Sequence, residues 1–193
     1  MSLYFAARLP NNNASDFYGY YRDAEDELPP RMPPPRGRVV STTAFVDASH
    51  AANRVTRRSH TGYLLFINRA PIVWFSKKQS TVECSAFSSE FLAMKLCIEA
   101  IVSLRYKLRM FGVPLEGPTK VFCDNNSVVL NSSKVESKLS KKNNSLAYHY
   151  TRWSVAAGII RVGWIDGKEN LADAFTKILS LIIREYLFGN WTY

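Results

Sequence analysis

Ala44-Phe45-Val46-Asp47-Ala48-Ser49 is the stretch whose reading decides the fold. A short apolar run stops on an acid and gives way to small polar residues. That is the pattern of a buried strand whose carboxylate sits where the chain leaves the core. The figure recurs at Lys120-Val121-Phe122-Cys123-Asp124-Asn125. Side by side and parallel, two such strands would bring their acids out at one sheet edge about 5 Å apart, the spacing of neighbouring strands. Carboxylates that close repel unless a cation lies between them.

A third acid comes from the strongest helical segment, Ala86–Met110, which lacks Gly and Pro and is stopped by Gly112 and Pro114. Glu90 falls on one side with Ala93, Met94, Cys97, Ile101, Leu104 and Leu108, opposite Lys95, Glu99, Ser103 and Tyr106. An ionised group on a core-facing stripe is costly without a partner.

Outward from these acids, strands are predicted at 43–48, 62–67 and 72–75. The last two are separated by Asn68-Arg69-Ala70-Pro71, a turn-like spacer that suggests an antiparallel hairpin. Alternation along that hairpin places Trp74 in the core. A fourth strand covers 119–124, a short helix starts at Ser127, and a helix over Leu146–Ala157 stops at Gly158. His149 in that helix reads as a packing residue. A fifth strand covers 159–165. A helix after Asn170 then carries Leu171, Phe175 and Ile178 on one side, and Leu181–Leu187 is helical too. This order predicts an α/β domain with a mixed sheet, a hairpin meander followed by parallel crossovers.

The 193 residues suffice for one well-packed domain with an appendage. Six of nine prolines fall before Arg36, so residues 1–37 read as a proline-rich tether, with Asp16-Phe17-Tyr18-Gly19-Tyr20-Tyr21 able to dock on a neighbouring surface. The domain proper then spans 38–180, with a C-terminal helix and tail over 181–193. Net charge is +9, and residues 1–36 contribute −1 of it, leaving +10 for the rest. A basic folded part suits a polyanionic partner; it also serves plain solubility. No apolar run is long enough to cross a bilayer and no signal pattern opens the chain, so the expectation is a soluble cytoplasmic protein without a membrane partner. Cys84, Cys97 and Cys123 lack metal-ligand spacing and read as buried free thiols.

Several motifs together are similar to one known family. Phe45-Val46-Asp47-Ala48, Arg57-Arg58-Ser59-His60-Thr61-Gly62-Tyr63, Trp74-Phe75-Ser76-Lys77-Lys78-Gln79-Ser80-Thr81, Ser89-Glu90-Phe91-Leu92-Ala93, Leu104-Arg105-Tyr106-Lys107-Leu108, Phe122-Cys123-Asp124-Asn125 and Asn170-Leu171-Ala172-Asp173-Ala174-Phe175-Thr176-Lys177 occur in order over about 38–180. They resemble the ribonuclease H domain of copia-type LTR retrotransposon Pol polyproteins. The resemblance implies a ribonuclease H-like fold, a five-stranded mixed sheet with helices on both faces. It implies four catalytic, metal-holding acids, Asp47, Glu90, Asp124 and Asp173. It also implies two Mg²⁺ ions, with Mn²⁺ as a substitute, and an RNA/DNA hybrid whose RNA strand is cut. A reverse transcriptase domain in the same polyprotein is the implied partner, and retrotransposon particles in the cytoplasm are the implied setting.

On residues alone, Asp173 reads as a first-turn acid beside the cap Asn170, and its place in the set comes from the resemblance. Arg57, Arg58, Lys77, Lys78, Gln79 and Asn125 are the candidate substrate-binding residues. Each alone reads equally as part of a solvated loop, as do Lys138, Lys141 and Lys142. The alternative reading is a catalytically inactive ribonuclease H-like module, acting as scaffold or nucleic-acid binder. It rests on Gly167-Lys168-Glu169 and Asn143, which stand where such enzymes often carry histidine, and the C-terminal Phe188, Trp191 and Tyr193 could serve a scaffold.

Overall fold

The computed structural model describes Phe17, residues 19–139 and residues 144–189. Asp16, Tyr18, Lys141, Lys142, Asn143, Trp191 and Tyr193, named above, lie outside the described residues.

Strand β1 (Thr42–Ser49) is the centre of a five-stranded sheet. It pairs antiparallel with β2 (His60–Ile67), which pairs antiparallel with β3 (Ala70–Lys78). On its other side it pairs parallel with β4 (Thr119–Cys123), which pairs parallel with β5 (Ile160–Trp164). The order is β3-β2-β1-β4-β5, the mixed sheet expected from a meander followed by crossovers. The hairpin loop is tighter than the predicted four-residue spacer: Asn68 adopts φ 54°, a left-handed conformation that suits a two-residue connection. A register shift between Leu65 and Phe66 interrupts the pairing of β2 with β3.

Alternation along β1 sends residues to two cores. Ala44, Val46 and Ala48 join the main core with Phe91, Met94, Ile98 and Ile101 of helix α1 (Ala86–Met110). Phe45 faces the other way, into a second core with Leu64, Phe66, Phe122 and Leu171. Each fully buried side chain of this size contributes roughly 1.5–3 kcal/mol. Helices α2 (Asn126–Ser133) and α3 (Ser145–Ala156) lie on the α1 side, while α4 (Leu181–Phe188) gives Leu187 to the second core. The sheet therefore carries helices on both faces.

Helix α1 starts where expected, capped by Ser85, whose Oγ accepts from the Ser88 amide. Its buried stripe holds Glu90, Ala93, Met94, Cys97, Ile101 and Leu108 as read, and extends to Phe91, Ile98 and Arg105.

Three local expectations need correction. No helix runs through 171–178; the chain makes 3₁₀ turns at Gly167–Glu169 and Leu171–Phe175, and Ile178 is fully exposed. Asn170 is the reason: its Oδ1 caps the turn at the Ala172 amide (3.1 Å) while its Nδ2 donates to the Val46 carbonyl (3.1 Å), tying a short turn to β1. Trp74 is 66% exposed, not core, because it lies on edge strand β3 beyond the 171–175 turn, which packs over β1 and β2. Cys84 is exposed, whereas Cys97 and Cys123 are buried free thiols.

The described part of the proline-rich segment packs along the domain. Phe17 is fully buried, with the Arg152 guanidinium 4.8 Å from its ring centre. Tyr21 Oη lies 2.8 Å from His149 Nδ1. Asp26 accepts from Arg105 (2.9 Å) and from Arg109. A cleft of about 340 Å³ beside these arginines is far from Glu90, roughly 22 Å along α1.

Candidate active site

The parallel pairing of β1 and β4 matches Phe45 with Phe122, and two residues further the same register sets Asp47 against Asp124. β4 ends just before Asp124, while β1 runs two residues past Asp47; the two acids still come together beyond the last parallel pair. Asp173 arrives from the second 3₁₀ turn, held against β1 by Asn170. Carboxylate oxygens of Asp47, Asp124 and Asp173 all lie within 4.8 Å of one another. Asp47 is buried, and the other two are half-buried.

Glu90 reaches the same place from the first turns of α1 but stands outside that triad. It is buried, and its Oε2 has no hydrogen-bond partner. Burial, then the charges of Asp47 and Asp124, push its carboxyl up to about 9, against a weaker lowering by Lys177 and the Ala48 backbone. Burial also raises Asp124, with Asp47 adding to it. Asp173 is pushed up to about 6, burial and the Asp47 charge outweighing its hydrogen bond from Lys177. Glu90, Asp124 and Asp173 are thus each held back from ionising by burial and by neighbouring acids.

Two glycines allow the approach. A Cβ at Gly62, opposite Asp47 on β2, would meet Thr176 Cγ2 at 2.7 Å, Phe175 Cβ at 2.8 Å and the Ala172 carbonyl at 3.0 Å. A Cβ at Gly167 would stand 3.2 Å from Asp124 Oδ2. Trp164 Nε1 donates to the Asp124 carbonyl (3.0 Å) and steadies the end of β4.

The candidate substrate residues divide. Arg57 and Arg58 are exposed on the loop after β1, ordered by Asn53, which accepts from the Val55 and Thr56 amides (3.2 and 2.7 Å). Lys77 and Lys78 are exposed at the end of β3. By strand register, Trp74, Ser76 and Lys78 share the sheet face of Asp47. Gln79 is buried, its amide donating to Thr61 Oγ1 (3.0 Å) and the Ser89 carbonyl (2.9 Å). Asn125 uses its Oδ1 to cap α2, accepting from Ser127 and Val128 amides (3.0 and 3.4 Å). Lys138 is exposed.

Thr176 and Lys177 had been given no role of their own. Thr176 Oγ1 donates to Asp47 Oδ2, and Lys177 Nζ lies 2.8 Å from Asp173 Oδ1 and 3.5 Å from Asp47 Oδ2. A lysine four residues after an acid was the available signal.

The fit to divalent ions is good on this geometry: hard oxygen donors, three carboxylates within one ion's reach, and a buried fourth with an orphaned oxygen.

This architecture is shared with solved ribonucleases H. The chain superposes on RNase H1 from the halophilic archaeon Halobacterium salinarum with TM-score 0.54, covering 70% of this chain and 94% of that one at 14% identity. It superposes on LC11-RNase H1 in complex with an RNA/DNA hybrid with TM-score 0.56, covering 70% and 94% at 13% identity. The fold is that of ribonuclease H.

Among curated proteins, this ribonuclease H-like chain is similar to the retrovirus-related Pol polyprotein from transposon RE2 of Arabidopsis thaliana, 29% identical over 76% of the chain. It is similar also to that from transposon TNT 1-94 of Nicotiana tabacum, 29% identical over 70%. The chain spans about 10% of the length of each. No family model matches the sequence. Both of these relatives are Pol polyproteins of plant transposons, and among the described residues no helix is long and apolar enough to cross a membrane.

Proposed function

We propose that this domain is a Mg²⁺-dependent ribonuclease H that hydrolyses the RNA strand of RNA/DNA hybrids, within a copia-type retrotransposon Pol polyprotein. The observation that carries the reading is the convergence of Asp47, Asp124 and Asp173 within 4.8 Å beside the orphaned Glu90 oxygen. These four would hold two divalent ions, Mg²⁺ or Mn²⁺. When bound, such ions supply an activated water and charge neutralisation at the leaving oxygen. Hydrolysis breaks the phosphorus–O3′ bond, leaving a 3′-hydroxyl and a 5′-phosphate.

The chain's own residues supply position. Asn170 and Gly62 set Asp173 over Asp47, and Trp164 fixes the exit of Asp124. Arg57, Arg58, Lys77 and Lys78 would take phosphates. Asn125 sits next to Asp124 and is a candidate for ribose contact. Buried Gln79 would act mainly by shaping the Thr61–Ser89 neighbourhood. Relatives of which the match spans only about 10% support a reverse transcriptase domain in the same polyprotein as the partner, acting in cytoplasmic retrotransposon particles.

The test is a gel assay on a labelled RNA/DNA duplex. Mg²⁺-dependent cutting is expected, abolished by chelation and reduced to background by Asp124→Asn. Salt-sensitive hybrid binding without any cutting would instead identify an inactive binding module, the reading favoured by the absence of histidine at Gly167-Lys168-Glu169.

A further inference from the structure

The turn that delivers Asp173 does not end there. Thr176 and Lys177 amides donate back to the Asp173 carbonyl (3.2 and 2.9 Å), so the chain folds over the acids rather than away. Ser76 Oγ on β3 donates to the Phe175 carbonyl (2.6 Å) and anchors the fold-back. Gly62 provides the room, since any side chain there would collide with Thr176 and Phe175. The outcome is a cation already in place. Lys177 Nζ bridges Asp173 Oδ1 and Asp47 Oδ2 at 2.8 and 3.5 Å, and Thr176 Oγ1 donates to that same Asp47 oxygen.

These are two of the three carboxylates that converge, so the ammonium sits on groups a divalent ion would draw its ligands from. Asp47 is almost wholly removed from water (1% exposed), so its charge is poorly screened. Lysine suits temporary occupancy: its charge is a compact point on a flexible stem. The Lys177 side chain is 41% exposed, which leaves it a way out to solvent.

We propose that Lys177 is the resident counter-ion of the acid cluster. It holds Asp47 and Asp173 together in the metal-free protein and competes with the divalent ion for their oxygens. This rests on the reading that the acids bind divalent ions. Lys177 is a positioning residue whose removal should act in opposite directions on two measurable quantities. Without the ammonium, the metal-free acids repel and the fold weakens. The same change frees the Asp47 and Asp173 oxygens and removes a like charge, so the ion binds more tightly.

The experiment compares the full chain with Lys177→Met and Lys177→Arg. Melting in chelator and calorimetric titration with Mg²⁺ and Mn²⁺ are measured for each. Lys177→Met should melt lower without metal yet bind Mn²⁺ roughly tenfold more tightly, a modest fraction of the interaction between charges this close. Lys177→Arg should stay near the parent. A lysine that merely packs would lower melting and leave affinity equal or weaker, and that result overturns the proposal. If Lys177→Met does not fold, the parent protein decides: amine labelling of Lys177, read by mass spectrometry, should accelerate when Mg²⁺ is added. Unchanged labelling in a protein that binds the ion refutes the counter-ion role and leaves the nuclease reading intact. No ion binding by the parent chain removes both.

Discussion

Glu90 is buried with an orphaned Oε2 and resists ionisation. Burial first, then Asp47 and Asp124, raise its folded carboxyl from an ordinary 4.5 to about 9. Between those values the folded chain holds a proton that the unfolded chain has lost. Stability from this group is therefore full below about pH 4.5 and drains away as pH rises to about 9. In chelator, melting temperature should fall across that window, and Mg²⁺ should flatten the decline by replacing the proton. Glu90→Gln should melt a few degrees higher than the parent at the alkaline end without metal, and it should lose cutting. A pH-melting series with and without Mg²⁺ checks both, and a parent protein whose metal-free stability rises with pH would contradict the account.

At the level of elements, the 171–177 turn is where precision matters most. Gly62→Ala puts a methyl within 3.0 Å of three of its atoms, two of them in or next to backbone. The turn must shift, at about 1–3 kcal/mol by analogy with overpacked cores. Metal affinity should weaken along with stability, which paired denaturant and ion titrations would show. Asn170→Ala removes both the cap and the buried bond to Val46, and should cost about 1–3 kcal/mol.

The strands, α1 and the exits of Asp47 and Asp124 were legible because apolar runs and a Gly- and Pro-free stripe encode them locally. Glu90 was legible because a charge on a buried face stands out. The 171–178 helix misled because three apolar residues at helical spacing mimic a stripe, while Asn170 ends the geometry after one turn. Trp74 misled because alternation tells which residues share a face, not how far a covering element reaches. Lys177's contacts depend on a fold-back and on an absent side chain at Gly62, neither of which a wheel displays.

For the whole molecule, the charge left after the first 36 residues is +10, and Arg57, Arg58, Lys77 and Lys78 stand exposed. Hybrid affinity should fall steeply with salt, and Lys78→Ala should reduce the slope of that dependence by about one. Fluorescence anisotropy across a salt series measures it; an unchanged slope removes Lys78 from the interface. The proline-rich segment is held by Asp26. Burial alone would raise its carboxyl, but hydrogen bonds from Arg109 and Arg105 outweigh that and hold it below the ordinary range. Its stabilising contribution is thus present above the ordinary carboxylate range and lost as pH falls through its lowered value. Asp26→Ala should cost about 1–3 kcal/mol by leaving buried Arg105 short of a partner.

The outer rim of the sheet has a consequence of its own. Among the described residues no strand pairs with β3 on its outer side, and such an edge invites a second copy to zip on and propagate. Pro71 brings a residue without an amide donor to this strand, the slipped register at Leu65/Phe66 interrupts its regularity, and Lys77 and Lys78 load its far end with like charge. Neutralising both lysines should therefore favour insoluble, strand-joined aggregates at concentrations where the parent chain remains dispersed.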